Sequence, residues 1–382
     1  MRNRIETAGV PGAAGPARER RVPLVTSAAA DWDVEAFRAS IQAALDGYVD
    51  EQAARLEPLG EDAARLLQAA RTAVSGGKRF RAAFCWWGFQ AVTAQVPDEP
   101  ALLRAAAAHE LLHASALVHD DVMDASDTRR GHPATHKAFE TRHREQGWRG
   151  DPEQYGAAAA ILLGDLLLCW SDELLRRCGL DTDVVRRALD RFDTTRSEVI
   201  TGQFLDVSVQ ARGASDVEQA MRVLRYKSAK YSVERPLHVG ASLAGGDDAV
   251  LDALSGFGLP LGEAFQLRDD LLGVFGDPAV TGKPAGDDLT EGKRTVLVAL
   301  ALEAAPGADA ERLDSSLGRP LSDTEVDALR RVIDDSGAHA EVERRIGVLT
   351  TQALTALDGV DVTPRARAVL RELAAAATQR VI

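Results

Sequence analysis

Apolar residues recur at helical spacing along most of the chain. The pattern predicts Ala- and Leu-rich helices over residues 33–74, 101–123, 154–180, 185–211, 217–244 and 248–275. The alternation of Val, Ile and aromatic residues with a period of two, which is typical of strands, is almost absent. After about residue 305 the helical spacing predicts two or three further amphipathic helices. The sequence therefore predicts an all-α fold.

Turn-forming segments separate the predicted helices. They lie at residues 75–79, 131–133, 147–152, 179–183 and 276–288. None has the composition of an inter-domain linker, so we expect a single large helical bundle over residues 31–382. Residues 1–30 are rich in Gly, Ala, Pro and Arg and lack the apolar core of a signal peptide, so we expect a disordered N-terminal tail there.

Composition limits the cellular compartments and the classes of partner that we expect for this protein. The chain has 58 acidic and 45 basic residues, a net charge of -13, which disfavours nucleic acid and anionic membranes as general partners. The longest apolar run, AAAAILLGDLLLCW, contains Asp165 and is too short to span a bilayer. Cys85, Cys169 and Cys178 fit neither a disulfide framework nor a metal site, so we expect them to be buried. We expect a cytoplasmic protein without stable membrane insertion.

The stretch HDDVMDASDTRRG places four aspartates within eight residues. If the preceding apolar segment is one helix, Asp120 and Asp124 face the same way one turn apart and repel each other. One interpretation is a solvated acidic helix end neutralised by Arg129 and Arg130. The other is a Mg²⁺ site, because Mg²⁺ takes one or two carboxylates and completes its shell with water and substrate phosphate. We favour the second, since the cluster ends a strongly apolar helix and so points to the mouth of a cavity.

A second acidic helix end, LGEAFQLRDDLLGVFGD, repeats the arrangement with Gln266, Asp269 and Asp270. Between the two clusters, TGQFLDV adds Gln203 and Asp206. Basic residues occur in short motifs, namely Lys78, Arg79 and Arg81 in SGGKRFR, Lys227 in YKSAK, Lys283 in TGKP, and Lys293 and Arg294 in EGKRT. Each alone is typical of a surface cation, but glycines beside three of the lysines let backbone N–H groups approach an anion. Carboxylates, cations and glycine turns together predict a site for two diphosphates.

These motifs resemble the ordered motif set of the trans-isoprenyl diphosphate synthases, the polyprenyl synthetase family, and most of all its bacterial geranylgeranyl diphosphate synthases. The resemblance rests on GGKRFR, ELLHASALVHDDVMDASDTRRG, GQFLD, KSA, FQLRDD and GKPAGDDLTEGKRT, and it spans residues 75–295. It implies an all-α bundle around a deep central cavity, usually a homodimer. It also implies Mg²⁺-dependent condensation of isopentenyl diphosphate with an allylic diphosphate (dimethylallyl, geranyl or farnesyl).

The resemblance assigns a role to each matching residue. It implies that Asp120, Asp124 and Asp269 hold Mg²⁺, three ions for each active site, with Mn²⁺ as a possible substitute. The implied catalytic residues are Asp120, Asp121, Asp124, Lys227, Gln266, Asp269 and Asp270. The implied substrate-binding residues are Gly77, Lys78, Arg81, His113, Arg129, Arg130, Gln203, Asp206, Ser228, Lys283 and Lys293. Of these, Arg129, Lys227 and Lys283 would hold the allylic diphosphate, and Gly77, Lys78, Arg81, His113 and Arg130 isopentenyl diphosphate.

Three positions depart from the family pattern. Gly273 replaces a third aspartate in the second cluster, where Asp270 or water can supply the oxygen. Ala82 stands where proline is common, and Ser228 stands where threonine is common.

The residues before Asp120 predict the product length. One helical turn rises about 5.4 Å, close to the length of an isoprene unit, so successive turns measure a growing chain. In the family, aromatic residues four and five positions before the first aspartate stop growth at C15, and here these positions are Ala116 and Ser115. We predict a C20 product, geranylgeranyl diphosphate, with Leu112, His109 or a neighbouring helix such as 155–170 as the floor. A C15 product or one of C25 or longer stays the alternative.

Two other functions remain as rivals. A class I terpene cyclase also ionises a diphosphate in a helical pocket, but it does not need the GGKRFR and TRRG motifs. A non-catalytic subunit of a heteromeric synthase would be expected to lose an aspartate cluster, and both clusters keep their first two aspartates.

Overall fold

The computed structural model describes residues 32–129, 131–213, 216–276 and 286–379. The tail expected over residues 1–30 lies outside this range, as do Arg130 and Lys283 of the predicted site. From Trp32 onward the chain packs as one unit.

Helices account for nearly all regular structure in these residues, which confirms the predicted all-α class. They are α1 (Val34–Leu56), α2 (Glu61–Ala73), α3 (Phe80–Val92), α4 (Glu99–Met123), α5 (Thr135–Glu145), α6 (Pro152–Arg176), α7 (Thr182–Arg212), α8 (Val217–Leu224), a π-helix (Arg225–Glu234), α9 (Arg235–Leu243), α10 (Asp248–Phe275), α11 (Asp287–Glu291), α12 (Val296–Ala304), α13 (Gly307–Ser316), α14 (Asp323–Asp335), α15 (Ala338–Gly359) and α16 (Pro364–Thr378). Two antiparallel strands of two residues each, β1 (Thr128–Arg129) and β2 (His132–Pro133), follow α4.

Aspartate side chains begin many of the long helices. In each case a carboxylate oxygen accepts a hydrogen bond from a backbone N–H of the first turn, which satisfies a donor that the helix itself cannot pair. The capping residues are Asp33, Asp98, Asp151, Asp181, Asp216 and Asp247. These six aspartates therefore serve the helix ends.

Several predicted boundaries were wrong for local reasons. The predicted helix 33–74 is two helices, because Pro58 and Gly60 interrupt it with a short 3₁₀ turn, Glu57–Leu59. The segment 217–244 contains the ten-residue π-helix, which periodicity does not reveal. Between residue 305 and residue 379, the last one that the structure describes, there are four helices rather than two or three.

The packing centre is α4, whose small residues let neighbouring helices approach closely. Its buried face is rich in alanine and leucine, and it packs along α6 and α3. The π-helix lies between α7 and α10, where Gly202 and Gly262 permit backbone contact: a Cβ on Gly202 would lie 2.4 Å from the backbone nitrogen of Lys227. The π-helix is therefore held from two sides.

Two predictions about the surface can be compared directly with the structure. Cys85 and Cys178 are buried as expected, but Cys169 is exposed, because the side of α6 that carries it faces outward. None of the described helices combines the length and the apolar character needed to cross a membrane.

Candidate active site

A cavity of about 1430 Å³ opens among α3, α4, α6, α7, the π-helix and α10. Most of the predicted site residues line it, namely Lys78, Arg81, Leu112, His113, Ser115, Ala116, Asp120, Arg129, Gln203, Asp206, Lys227, Ser228, Gln266, Asp269, Asp270 and Lys293. Gly77, Asp121 and Asp124 do not line it. The tertiary structure thus brings residues more than 200 positions apart to one place.

Lys227 joins the first aspartate cluster to α7. Its Nζ lies 2.6 Å from Asp206 Oδ2 and 3.2 Å from Asp120 Oδ1, and the Gln203 amide donates to the same Asp120 oxygen at 3.0 Å. Burial alone would lower the pKa of Lys227, but Asp120 and Asp206 outweigh it and raise the pKa above its usual range. Lys227 therefore carries a firm positive charge on the cavity wall.

Asp120, Asp121 and Asp124 of the first cluster have different surroundings. Asp121 is buried and accepts a hydrogen bond from Arg129 Nε at 2.7 Å, so it orients that guanidinium rather than facing the cavity. Asp124 Oδ2 is buried without a hydrogen-bond partner, although Lys293 Nζ lies 3.3 Å away. Lys293 also pairs with Asp288 and Glu291, and thereby connects the cluster to α11.

Charge and burial separate the pKa values of Asp120 and Asp124. Burial would raise the pKa of Asp120, but Lys227, Lys293 and Arg129 prevail and lower it to about 2. For Asp124, burial and the nearby Asp120 raise the pKa to about 6. Asp120 is thus ionised throughout the neutral pH range. Asp124 would need a further positive charge beside it to be fully ionised below about pH 6.

The second aspartate cluster lies at the end of α10. The Gln266 amide nitrogen donates to Asp270 Oδ1 at 2.9 Å, so the amide oxygen is the group that remains for other partners. Burial, followed by Asp288 and Asp269, raises the pKa of Asp270 to about 8. Asp288 fills the space beside Gly273, since a Cβ on Gly273 would lie 1.9 Å from Asp288 Oδ2. A carboxylate from α11 therefore occupies the place of the missing third aspartate.

The chemistry of these donors fits a hard divalent cation. Asp120, Asp269 and Asp270 supply carboxylate oxygens to one cavity, and Asp124 Oδ2, which is buried and accepts no hydrogen bond, adds another nearby. Among the described residues, no three His, Cys, Asp or Glu side chains form a closed metal cage. Mg²⁺ does not require one, because it commonly keeps water and binds substrate phosphate.

A second group of polar residues lies around Tyr231. Arg81 donates to the Tyr231 hydroxyl and to Ser232 Oγ, both at 2.7 Å, and its guanidinium stacks over the tyrosine ring. His113 Nδ1 lies 3.1 Å from the same hydroxyl. Tyr231 was missed by the sequence reasoning. The available signal was its position one turn after Lys227 in KSAKY, although it depends on the π-helix for its direction.

The apolar end of the cavity differs partly from the expected floor. Leu112, Ser115 and Ala116 line it, whereas His109 lies beyond the lining and packs edge-on against Phe192. His109 is therefore not the floor. Ser115 is tied to α6, because its hydroxyl donates to the Gly164 carbonyl at 2.7 Å. Ile161, Leu168, Ile200, Phe204 and Val207 from α6 and α7 complete this wall.

Comparison with known proteins agrees with this geometry. The polyprenyl synthetase family model matches residues 63–335. The geranylgeranyl diphosphate synthase of Mycobacterium tuberculosis is 38% identical over 60% of this chain and 59% of its own length. The geranylfarnesyl diphosphate synthase of Natronomonas pharaonis is 34% identical over 63% of this chain and 64% of its own length. These alignments thus span less than two thirds of either relative.

Similarity to a solved structure extends further along the chain. A geranylgeranyl pyrophosphate synthase from Corynebacterium glutamicum, solved with isoprenyl diphosphate and magnesium, has a TM-score of 0.89 and 42% identity. It matches 92% of this chain and 100% of its own. Fold, motif order and matched length agree, and the chain belongs to the polyprenyl synthetase family.

Proposed function

We propose that this protein is a prenyltransferase that condenses isopentenyl diphosphate with an allylic diphosphate and releases geranylgeranyl diphosphate. The observation that supports this most strongly is a cavity with aspartate and lysine side chains from α4, α7, the π-helix, α10 and α11 at one end and an apolar wall at the other. A diphosphate fits the charged end, and a prenyl chain fits the apolar end.

In this proposal the chain's own residues hold and activate the allylic diphosphate. Asp120, Asp124 and Asp269 would hold Mg²⁺, which supplies positive charge to the leaving diphosphate when it is bound. Lys227 and Arg129 stabilise the negative charge that develops as the C–O bond breaks. To do so, Lys227 exchanges part of its pairing with Asp120 for the diphosphate oxygens.

The carbocation and the second substrate are served by other side chains. The Gln266 amide oxygen and the Ser228 hydroxyl face the cation with the negative ends of their dipoles. Lys78, Arg81 and His113 hold isopentenyl diphosphate, whose double bond attacks the cation. The π electrons of that double bond form the new C–C bond. The resulting cation then loses a proton to the released diphosphate, which leaves a new double bond. The apolar wall excludes water, which would otherwise convert the cation to an alcohol.

We propose a homodimer in which a second copy covers the outer face of α6 and α7. Large apolar side chains are exposed there, with Phe204 at 68%, Leu162 at 61% and Ile200 at 54% of their full exposure. A patch of this kind is unusual on an isolated soluble chain. The same helices form one wall of the cavity, so the second copy would also close that wall.

The function is tested by incubating purified protein with Mg²⁺, isopentenyl diphosphate and each allylic starter. The products are dephosphorylated and their chain lengths measured by mass spectrometry. We expect a C20 alcohol as the main product. A C15, C25 or longer product would support the proposed condensation but refute the predicted C20 chain length. A cyclic hydrocarbon formed from a prenyl diphosphate alone would instead favour a terpene cyclase, and no turnover would favour a non-catalytic subunit.

The Ala116→Phe substitution tests the wall that measures the product. Ala116 lines the cavity one turn from Asp120, so a phenyl ring there blocks the path of the growing chain. We expect the main product to shorten from C20 to C15, read by the same mass spectrometry. Ala105 is buried on α4 and does not line the cavity, so Ala105→Gly is a control expected to keep the product length. An unchanged product from Ala116→Phe would refute the wall.

A further inference from the structure

The motif SGGKRFR contains three cations, and the structure gives the middle one a different environment from the others. Lys78, Arg79 and Arg81 all border the cavity. Arg81 donates to Tyr231 and Ser232 of the π-helix, whereas the Arg79 side chain is only 4% exposed and is directed into the protein. The three charges of one motif therefore do not have one role.

The Arg79 guanidinium connects three helices. It donates to the Gln42 side chain on α1, to the Val74 carbonyl at the end of α2 at 2.6 Å, and to Glu110 Oε2 on α4 at 3.3 Å. All these partners are acceptors, so five donors in a planar fork suit the position better than the single amine of lysine. These contacts engage both terminal nitrogens of the guanidinium within the protein.

The same acceptors also hold the backbone on either side of Arg79. Gln42 Oε1 accepts from the backbone N–H of Gly76 at 3.2 Å, and Glu110 Oε1 accepts from the backbone N–H of Ala82 at 3.1 Å. The first bond fixes the start of the loop, and the second satisfies a free donor in the first turn of α3. Lys78 lies between these two fixed points.

Arg79 itself has an unusual backbone conformation. Its φ is 55°, and Ala125 is the other non-glycine residue with a positive φ in the described part of the chain. A left-handed conformation is unfavourable for a residue with a side chain, so the surroundings must hold it in place. Arg79 directly follows Lys78, and Ala125 directly follows Asp124. Backbone strain thus adjoins a residue in each of two charged motifs, Lys78 and Asp124.

We propose that Arg79 is a positioning residue, which sets the shape of the Ser75–Lys78 loop and so directs Lys78 toward isopentenyl diphosphate without contacting that substrate. The inference rests on the proposed prenyltransferase function. The inference adds Arg79 to the residues on which substrate binding depends, and Arg79 acts through its contacts with Gln42 and Glu110. It predicts that a change at Gln42, which does not line the cavity, affects the same substrate as a change at Arg79.

The experiment compares Arg79→Lys, Gln42→Met and the double variant by steady-state kinetics. We expect each single variant to raise KM for isopentenyl diphosphate roughly tenfold, with KM for the allylic substrate changed less than about twofold. The double variant should be little worse than either single one, because both break the same support. Gln68→Met, at an exposed position on α2, is the matched control and should leave both constants unchanged.

Two kinetic results would overturn the proposal. If Arg79→Lys raises KM for isopentenyl diphosphate while Gln42→Met leaves it unchanged, Arg79 binds the substrate directly. If the KM values for both substrates rise together as thermal stability falls, Arg79 supports the fold as a whole rather than the position of Lys78. Hydrogen exchange of the Gly76 to Lys78 amides gives an answer that does not depend on activity: exchange should be faster in both variants. A wild-type protein that does not elongate would refute the proposed function, and slower or unchanged exchange would refute the positioning role.

Discussion

Single residues in this protein have properties that their immediate neighbours in the sequence do not explain. Asp120 lies in the last turn of α4 and Asp124 caps its end one turn later, yet the pKa of Asp120 is lowered to about 2 and that of Asp124 is raised to about 6. Lys227, Lys293 and Arg129 lower the pKa of Asp120, whereas burial and the charge of Asp120 itself raise that of Asp124. The composition of a motif thus states which charges are present, but the partners of each charge decide its ionisation.

Gly273 provides a test at the level of one side chain. Gly273→Asp restores the third aspartate that the family pattern contains, yet its Cβ would lie 1.9 Å from Asp288 Oδ2. We expect Gly273→Asp to lower the free energy of unfolding by about 1–3 kcal/mol and to reduce activity, because two carboxylates compete for one space. Thermal unfolding and turnover measure the two effects.

The exchange Gly273→Asp/Asp288→Gly is the control for this substitution. It removes the overlap and keeps the number of carboxylates, so stability should recover to near the wild-type value. A single variant as stable and active as the wild type would contradict the assignment of this space to Asp288.

The lowered pKa of the buried His238 predicts how the stability of the fold depends on pH. Burial, followed by Arg235, lowers its pKa to about 4. Arg235 can only donate to Nδ1, so Nε2 carries the proton and donates to Ser255, whose hydroxyl donates to Glu234. The unfolded chain binds a proton near pH 6.5 that the folded protein does not bind until about pH 4, so stability falls as pH drops through this window.

His238→Gln should reduce this acid loss, because glutamine can accept from Arg235 and donate to Ser255 without titrating. The histidine contributes a slope of at most about 1.4 kcal/mol per pH unit. Urea unfolding at several pH values between 4 and 7 measures the difference between variant and wild type. Parallel curves for the two proteins would show that His238 does not contribute.

At the level of elements, the π-helix Arg225–Glu234 is the feature on which the site depends most. It carries Lys227, Ser228 and Tyr231 into the cavity, and its wider turn alters which residues share a face. Such a segment persists because α7 and α10 pack against it through glycines. The packing of these helices therefore sets the direction of the side chains that line the cavity.

Gly202→Ala tests this support. Its Cβ would lie 2.4 Å from the backbone nitrogen of Lys227, so the π-helix or α7 must move. We expect a loss of about 1–3 kcal/mol in the free energy of unfolding and a large fall in kcat. The control is Gly347→Ala on α15, where no atom lies within 4 Å and alanine should be neutral or stabilise by up to about 1 kcal/mol. Equal unfolding free energies and kcat values for the two variants would refute the close approach of α7 to the π-helix at Gly202.

At the level of the whole molecule, the cavity and the exposed apolar face belong to the same pair of helices. Ile161, Ile200 and Phe204 border the cavity and are also exposed at the surface. A second copy that covers α6 and α7 would change both the assembly and the space available to the product.

Leu162→Asp separates the two effects, because Leu162 is exposed but does not line the cavity. Light scattering after size-exclusion chromatography should give twice the chain mass for the wild type and a single chain mass for the variant, since a charge at a covered apolar position is costly. Val348→Asp, at a residue 52% exposed on α15, is the control and should leave the mass unchanged. A monomeric wild type would refute the dimer.

The sequence alone determined the fold class and the positions of the charged motifs. Helical periodicity and clustered carboxylates are local properties, and they survive in any context that buries the apolar face. For this reason the bounds of α4 and α10 agree with the prediction within two residues, and the motifs identified the charged end of the cavity.

Only the tertiary structure decided which of these charges meet and which face inward. Lys293 reaches Asp124 across 169 positions, Tyr231 joins Arg81 to His113, and Arg79 is directed into the protein. The π-helix and the shared wall of α6 and α7 also arise there. Each depends on contacts between residues far apart in the chain, whose geometry is fixed by packing and has no counterpart in local spacing.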